Sequence, residues 1–268
     1  MAKQELGRFS GSAPENYERY FVPRIGRPMA EELIARSGLR PGERVLDVGC
    51  GTGAVTRLAK EKVGSGAVTG LDLTPGMLAV ARSVTPSELG ITWQEGNAES
   101  LPFPDTSFDV VFCGLSLQLI PNKVIALREM RRVLVPGGRL LLSTPGRMPA
   151  PFGAIEAALT RHIGPGPAGF VKAVFSLHDP ATLETMIREA GFENVTVESV
   201  TKVLRMPPPR EYFRQYIQST PLAAAVMSAD AAKQDALEDE AVKGLEPYTD
   251  NGEVVVEQGA LFATARKP

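Results

Sequence analysis

The chain has 268 residues, 43% of them apolar, and 29 Lys and Arg against 31 Asp and Glu for a formal net charge of −2. That length buries a large core and suits one elaborated α/β domain, and the charge balance excludes the global basic footprint of a nucleic-acid binder. No apolar run approaches membrane-spanning length, the first five residues lack a signal peptide's apolar core, and two cysteines with two histidines point to a reducing cytoplasm and leave no ligand set for structural zinc.

In chain order, Asn16-Tyr17-Glu18-Arg19-Tyr20-Phe21 opens an aromatic leading segment, and a helix at 28–37 ends at Ser37-Gly38, a helix-stop signal. Arg44 to Gly49 reads as a buried strand that halts in a glycine-rich turn, Gly49-Cys50-Gly51-Thr52-Gly53, and restarts as a helix from about residue 53. A second strand over 67–72 ends at Asp72, after which Thr74 and Pro75 start a helix carrying Met77, Leu78 and Ala81. Short strands follow at 91–95 and 108–113. Asn122 is placed to cap a helix whose Val124, Leu127, Met130 and Leu134 face the sheet, leaving Arg128, Arg131 and Arg132 to solvent. Pro136-Gly137-Gly138 turns the chain into a strand at 139–143.

Strands alternating with helices predict a Rossmann-like sheet of seven mostly parallel strands with helices on both faces. A helix from Asp179-Pro180, a strand to Met206 and an antiparallel last strand over 254–265 complete it. This divides one domain into a helical cover over 1–40, a cofactor core over 41–145, and two helical insertions, 146–178 and 207–248. The insertions carry prolines, Phe152, Phe170, Phe175, Tyr212 and Tyr216. In open α/β sheets ligands bind beyond the C-terminal strand ends, where these segments form a lid.

The glycine turn is a nucleotide-cofactor cradle: its residues let the backbone approach a ligand, and the following helix presents unpaired N–H groups. Asp72 lies where a carboxylate grips ribose hydroxyls. Gly49-x-Gly51-x-x-Ala54 also meets a loose dinucleotide fingerprint. A carboxylate at Asp47 repels a pyrophosphate, however, and attracts the sulfonium and ammonium of S-adenosylmethionine.

Val45 to Gly53 closely resembles the first motif of class I S-adenosylmethionine-dependent methyltransferases. Leu71 to Leu78 resembles the second motif, Gly96 to Phe103 the third, Ser107 to Val111 the fourth, and Val133 to Leu140 the helix-turn-strand that follows. The likeness covers roughly 40–145 and is strongest to the subgroup with the ubiquinone and menaquinone biosynthesis enzymes. It implies that Asp72 accepts both ribose hydroxyls, Leu73 and Met77 sandwich the adenine, and Asn97 with the Ala98 amide reads its edge. Gly49, Cys50, Gly51 and the Cys113 carbonyl would hold the methionine portion, with Asp47 direct or through water. Asn97 departs from the Asp usual in that family, removing the charge from that contact. The resemblance also implies a tyrosine from the leading helix, Tyr17 or Tyr20, over the cofactor.

For the acceptor, Gln118 follows the fourth strand, where the resemblance puts active-site groups, and His162 and His178 are the titratable candidates for a base. No Pro-Pro-aromatic signature follows that strand and no acidic cluster accompanies it, which disfavours base N-methylation and magnesium-assisted catechol chemistry. A small-molecule methyltransferase is the leading reading. A methyltransferase-fold binding or regulatory protein and a nicotinamide-dependent oxidoreductase stand as alternatives.

Overall fold

The computed structural model describes residues 9–268; the first residues, with the start just discussed, lie outside the described residues. The leading segment is one rod in three windings: α1 (Ala13–Asn16), a wider π-helical stretch (Tyr17–Gly26), and α2 (Arg27–Ala35). Pro23 lies inside the π stretch, where it has no N–H to give to an α-helical ladder, and Arg27 N–H donates to Val22 O as the wider turn requires.

The strands are β1 (Val45–Val48), β2 (Val68–Asp72), β3 (Thr92–Glu95), β4 (Phe108–Gly114), β5 (Leu134–Pro145), β6 (Glu193–Met206), β7 (Thr249–Asp250) and β8 (Glu253–Arg266). They order as β3-β2-β1-β4-β5-β8-β6, with β7 pairing β8 in a short hairpin, so the sheet has eight strands among the described residues rather than the seven expected. β1 to β5 pair in parallel and β8 runs antiparallel to both β5 and β6. Parallel strands need both faces covered. One face carries α2 and α3 (Ala54–Val63) on Val45, Val110, Phe112 and Leu141; the other carries α5 (Lys123–Val133) and α8 (Pro180–Glu189) on Leu46, Val48, Val111 and Leu142. The helix α4 (Pro75–Ser83), entered through Thr74, packs by β2 and β3 and against α1.

The buried side of α5 is Ala126, Leu127, Met130 and Val133. Two of its arginines do not simply face solvent. Arg132 donates to the Leu101 and Phe103 carbonyls and pairs with Glu129 and Asp105, fastening the segment after β3, and Arg131 Nε donates to Gly191 O at 2.8 Å.

The insertions have a core of their own. α6 (Ala150–His162), α7 (Pro165–Val174), α9 (Pro209–Gln218), α10 (Leu222–Met227) and α11 (Ala231–Leu245) pack Phe152, Phe170, Phe175, Tyr212, Tyr216 and Leu237 together with Leu204, Met206, Val254 and Val256. The last four belong to the distal halves of β6 and β8, so these two strands serve both the sheet and the insertion core.

Candidate active site

β1 is buried throughout and delivers the chain into Gly49, Gly51 and Gly53, all left-handed at φ +70°, +54° and +88°. A Cβ at Gly49 would lie 2.0 Å from Ser116 Oγ, so the turn after β4 presses directly on it. That turn is strained as well: Leu115, not a glycine, has φ +50°. Gly53 and Gly70 face a single indole, since a Cβ at either would lie 2.4 and 2.6 Å from Trp93. Trp93, register partner of Gly70 across β2 and β3, is a residue that sequence reasoning missed; the pairing of the chain's one tryptophan with a strand glycine was the available sign.

Asp72 ends β2 and bridges the loop, with Oδ2 accepting from Gly51 N and Oδ1 from Thr74 N, each at 2.8 Å. Burial raises its pKa, while these amides oppose the rise. Asp47 is 1% exposed, and its Oδ2 accepts from Thr56 Oγ1 at 2.6 Å. Burial, with the nearby Asp72 charge, pushes it up to about 7 against the Thr56 bond. The native state therefore holds a proton that an unfolded Asp releases near pH 4, and stability from this site falls as pH rises from about 4 to about 7. The cofactor-free protein is expected to lose thermal stability relative to Asp47→Asn between pH 5 and pH 8; parallel melting curves across that range would show that Asp47 does not titrate there.

Both cysteines are free thiols in the interior. Burial drives Cys113 up to about 12 and Cys50 well above the usual range, so neither supplies a thiolate. Leu73 is 53% exposed beside the buried Met77. Asn97 is exposed, and its Oδ1 accepts from Glu99 N at 2.9 Å, closing the turn that carries Ala98. Of the two leading-helix tyrosines, the ring that reaches the loop is Tyr17's, with Cε1 3.9 Å from where a Gly51 Cβ would stand. Burial raises its pKa, and the Asp72, Glu18 and Asp47 charges add to that. Tyr20, the other tyrosine named for the cofactor, lies under the Arg19 guanidinium, 5.3 Å from its ring centre.

Gln118 lies on the short 3-10 turn Leu117–Leu119 after β4 and is 4% exposed. Its Nε2 donates to Leu115 O at 2.7 Å, but its Oε1 is buried with no partner. Tyr212 OH, among Phe152 and Tyr216, is likewise buried and unpartnered. Each histidine has one ring nitrogen engaged within the fold. His162 Nε2 meets Glu240 Oε2 at 2.7 Å, joining α6 to α11, and His178 Nδ1 meets Phe175 O at 2.9 Å in the turn before α8. Both bonds belong to the framework of the insertions.

A family model described as a methyltransferase domain matches residues 46–142. A demethylmenaquinone methyltransferase of Staphylococcus aureus is 36% identical over 185 residues, covering 64% of this chain and 76% of that protein. The chain belongs to the class I S-adenosylmethionine-dependent methyltransferase family. Among solved structures, phosphoethanolamine N-methyltransferase 2 of Haemonchus contortus, in complex with S-adenosyl-L-methionine, superposes with a TM-score of 0.61 at 23% identity. That match covers 96% of this chain and 56% of the other, so the chain spans little more than half of that protein's length. The [4+2]-cyclase SpnF matches with a TM-score of 0.57 at 26% identity over 90% of this chain and 80% of its own, so the architecture by itself does not dictate the reaction.

S-adenosylmethionine is the cofactor of this methyltransferase, and the cradle fits it. Among the described residues, Gly51 leaves room that the Tyr17 ring alone borders within 4 Å, Asp47 and Asp72 flank the loop, and Thr52 Oγ1 is buried without a partner. A loop edged by carboxyl groups and unused oxygens suits a ligand bearing a sulfonium, an ammonium and hydroxyl donors.

Proposed function

We propose that this methyltransferase acts on a small, largely apolar acceptor bearing a hydroxyl or related oxygen, held between the end of β4 and the aromatic face of the insertions. The observation that carries this reading is the unpartnered Gln118 Oε1, 4% exposed, in a turn that abuts Gly49 of the cradle. A buried amide oxygen left unpaired costs about 1–3 kcal/mol, and an acceptor hydroxyl supplies the missing donor. Tyr212 OH offers a donor to a second oxygen. Phe152, Phe175 and Tyr216 give the surrounding apolar surface. The S. aureus relative, named for demethylmenaquinone, supports an acceptor of this character. The net charge of −2 supports a small molecule over nucleic acid, and the free cysteines support a reducing cytoplasm.

In this reading Asp72 takes the ribose hydroxyls with its remaining lone pairs, Leu73 and Met77 flank the adenine, and the Ala98 amide reads its edge. Asn97 keeps that turn in shape. Gly49, Cys50, Gly51 and the Cys113 carbonyl line the aminocarboxylate end, with Asp47 behind them. When bound, S-adenosylmethionine supplies a methyl group on a sulfonium, open to attack in line with the departing sulfur. Gln118 fixes the direction of the acceptor oxygen, the insertions exclude water, and the leading rod closes the loop side. Orientation of this kind supplies much of the acceleration in a displacement. The residues 1–40, 41–145, 146–178 and 207–248 accordingly act as cover, cofactor core and two acceptor-binding insertions.

The test is transfer of labelled methyl from the cofactor to a panel of phenols, hydroquinones and aliphatic alcohols. Gln118→Leu is expected to lower kcat/KM roughly tenfold or more, as loss of one oriented hydrogen bond implies, while affinity for S-adenosylhomocysteine stays within about twofold. Absence of label in every one of these would remove the hydroxyl-bearing acceptor; a Gln118→Leu enzyme with full activity would move the acceptor elsewhere.

A further inference from the structure

The leading rod makes a charged contact with the cradle. Arg57, in the first turns of α3, donates from Nη1 to Thr52 O at 2.6 Å and from Nη2 to Glu18 Oε1 at 3.0 Å. The two side chains are each 19% exposed, so this ion pair is largely removed from solvent. Glu18 thus has one oxygen in use, and Oε2 is buried with no partner at all. Its neighbour Tyr17 borders Gly51, which puts this stretch of the rod at the loop rather than beside it. The rod winds as a π-helix from Tyr17 to Gly26, a rare geometry that is frequent at functional sites.

A buried carboxylate oxygen calls for a donor, since leaving a charged group unsatisfied costs more than a neutral one. Among the described residues no protein donor reaches it. Arg57 is already divided between Thr52 O and Glu18 Oε1, and the amide of Gly51 serves Asp72. The missing donor must come from the ligand, and a carboxylate whose other oxygen is held by a guanidinium is best matched by a cationic donor.

Resting on the assignment of this loop to S-adenosylmethionine, we propose that Glu18 accepts a hydrogen bond from the ammonium group of the cofactor's aminocarboxylate end, with Arg57 as its positioning residue. The rod therefore reads the end of the cofactor remote from the adenine, and Asp72 and Glu18 divide the two ends between a strand and a helix. Cofactor lacking the ammonium gains nothing from Glu18.

The experiment is calorimetric titration of the full chain with S-adenosylhomocysteine and with 5′-methylthioadenosine, which keeps the adenosine and lacks the aminocarboxylate group. Glu18→Gln is expected to weaken S-adenosylhomocysteine binding roughly ten- to a hundredfold, the range for a bond to a charged group, and to leave methylthioadenosine binding within about twofold. Arg57→Lys, which keeps the charge and loses the two-pronged grip, is expected to shift in the same direction by less. Equal weakening for both ligands would overturn the proposal and make Glu18 a fastening of the rod. An unchanged S-adenosylhomocysteine affinity with a lowered melting temperature would overturn it too, leaving only the ion pair. Wild-type protein that binds neither compound would remove the cofactor site itself, an outcome distinct from either.

Discussion

Gly49→Ala is expected to be the most damaging single-atom change in the cradle, destabilising the protein by on the order of 2–5 kcal/mol and abolishing measurable cofactor binding. Two costs add. A side chain at φ +70° carries a left-handed penalty of roughly 1–2 kcal/mol, and a Cβ 2.0 Å from Ser116 Oγ forces the strained turn after β4 to move, at roughly 1–3 kcal/mol. Ser116→Gly in the same molecule relieves the second cost and not the first, so the double variant should recover about half of the lost stability. Chemical denaturation of the four proteins checks this. A Gly49→Ala variant as stable as wild type, or no rescue from Ser116→Gly, would show that the two turns are not in contact.

Asp72→Ala should reduce affinity for S-adenosylhomocysteine by more than about tenfold, because each charge-assisted bond to a hydroxyl contributes roughly 1.5–3 kcal/mol. The variant also strands Gly51 N and Thr74 N, both of which donate to this carboxylate at 2.8 Å. Asp72→Asn separates these contributions: its one carbonyl oxygen serves a single amide, and its affinity should fall between those of wild type and Asp72→Ala. Calorimetry at fixed pH gives the three values. Affinity unchanged in Asp72→Ala would take Asp72 out of the ribose site.

The fold was legible because the apolar runs that mark a parallel sheet depend on local composition alone, and each expected strand lies within a few residues of the observed one. The glycine loop was legible for a similar reason: it is contiguous in sequence, and its chemistry needs few partners from afar. What escaped notice depends on tertiary placement. Choosing between Tyr17 and Tyr20 required the phase of a helix that turns π rather than α, which an α-helical wheel misplaces. Trp93 lies flat on two glycines from different segments. Arg132 binds two carbonyls some thirty residues earlier, so its position on the outer side of an amphipathic helix gave no hint of that role. The histidines were attractive for their intrinsic pKa, yet each found a framework partner that only the folded insertions supply.

β6 and β8 run fourteen residues each and pass without interruption from the sheet into the insertion core. Swinging the insertions away from the sheet would mean tearing that antiparallel ladder across its middle, where Lys202, Val203 and Leu204 pair with Gln258, Glu257 and Val256. On the proposed reading the insertions form the stiff side of the acceptor site, while the rod is tied by single polar contacts, Asn16 to the Gln218 carbonyl at 3.3 Å and Glu18 to Arg57, besides the packing of Ile25. Cofactor exchange is accordingly expected to follow the withdrawal of a bolt rather than the lifting of a cover.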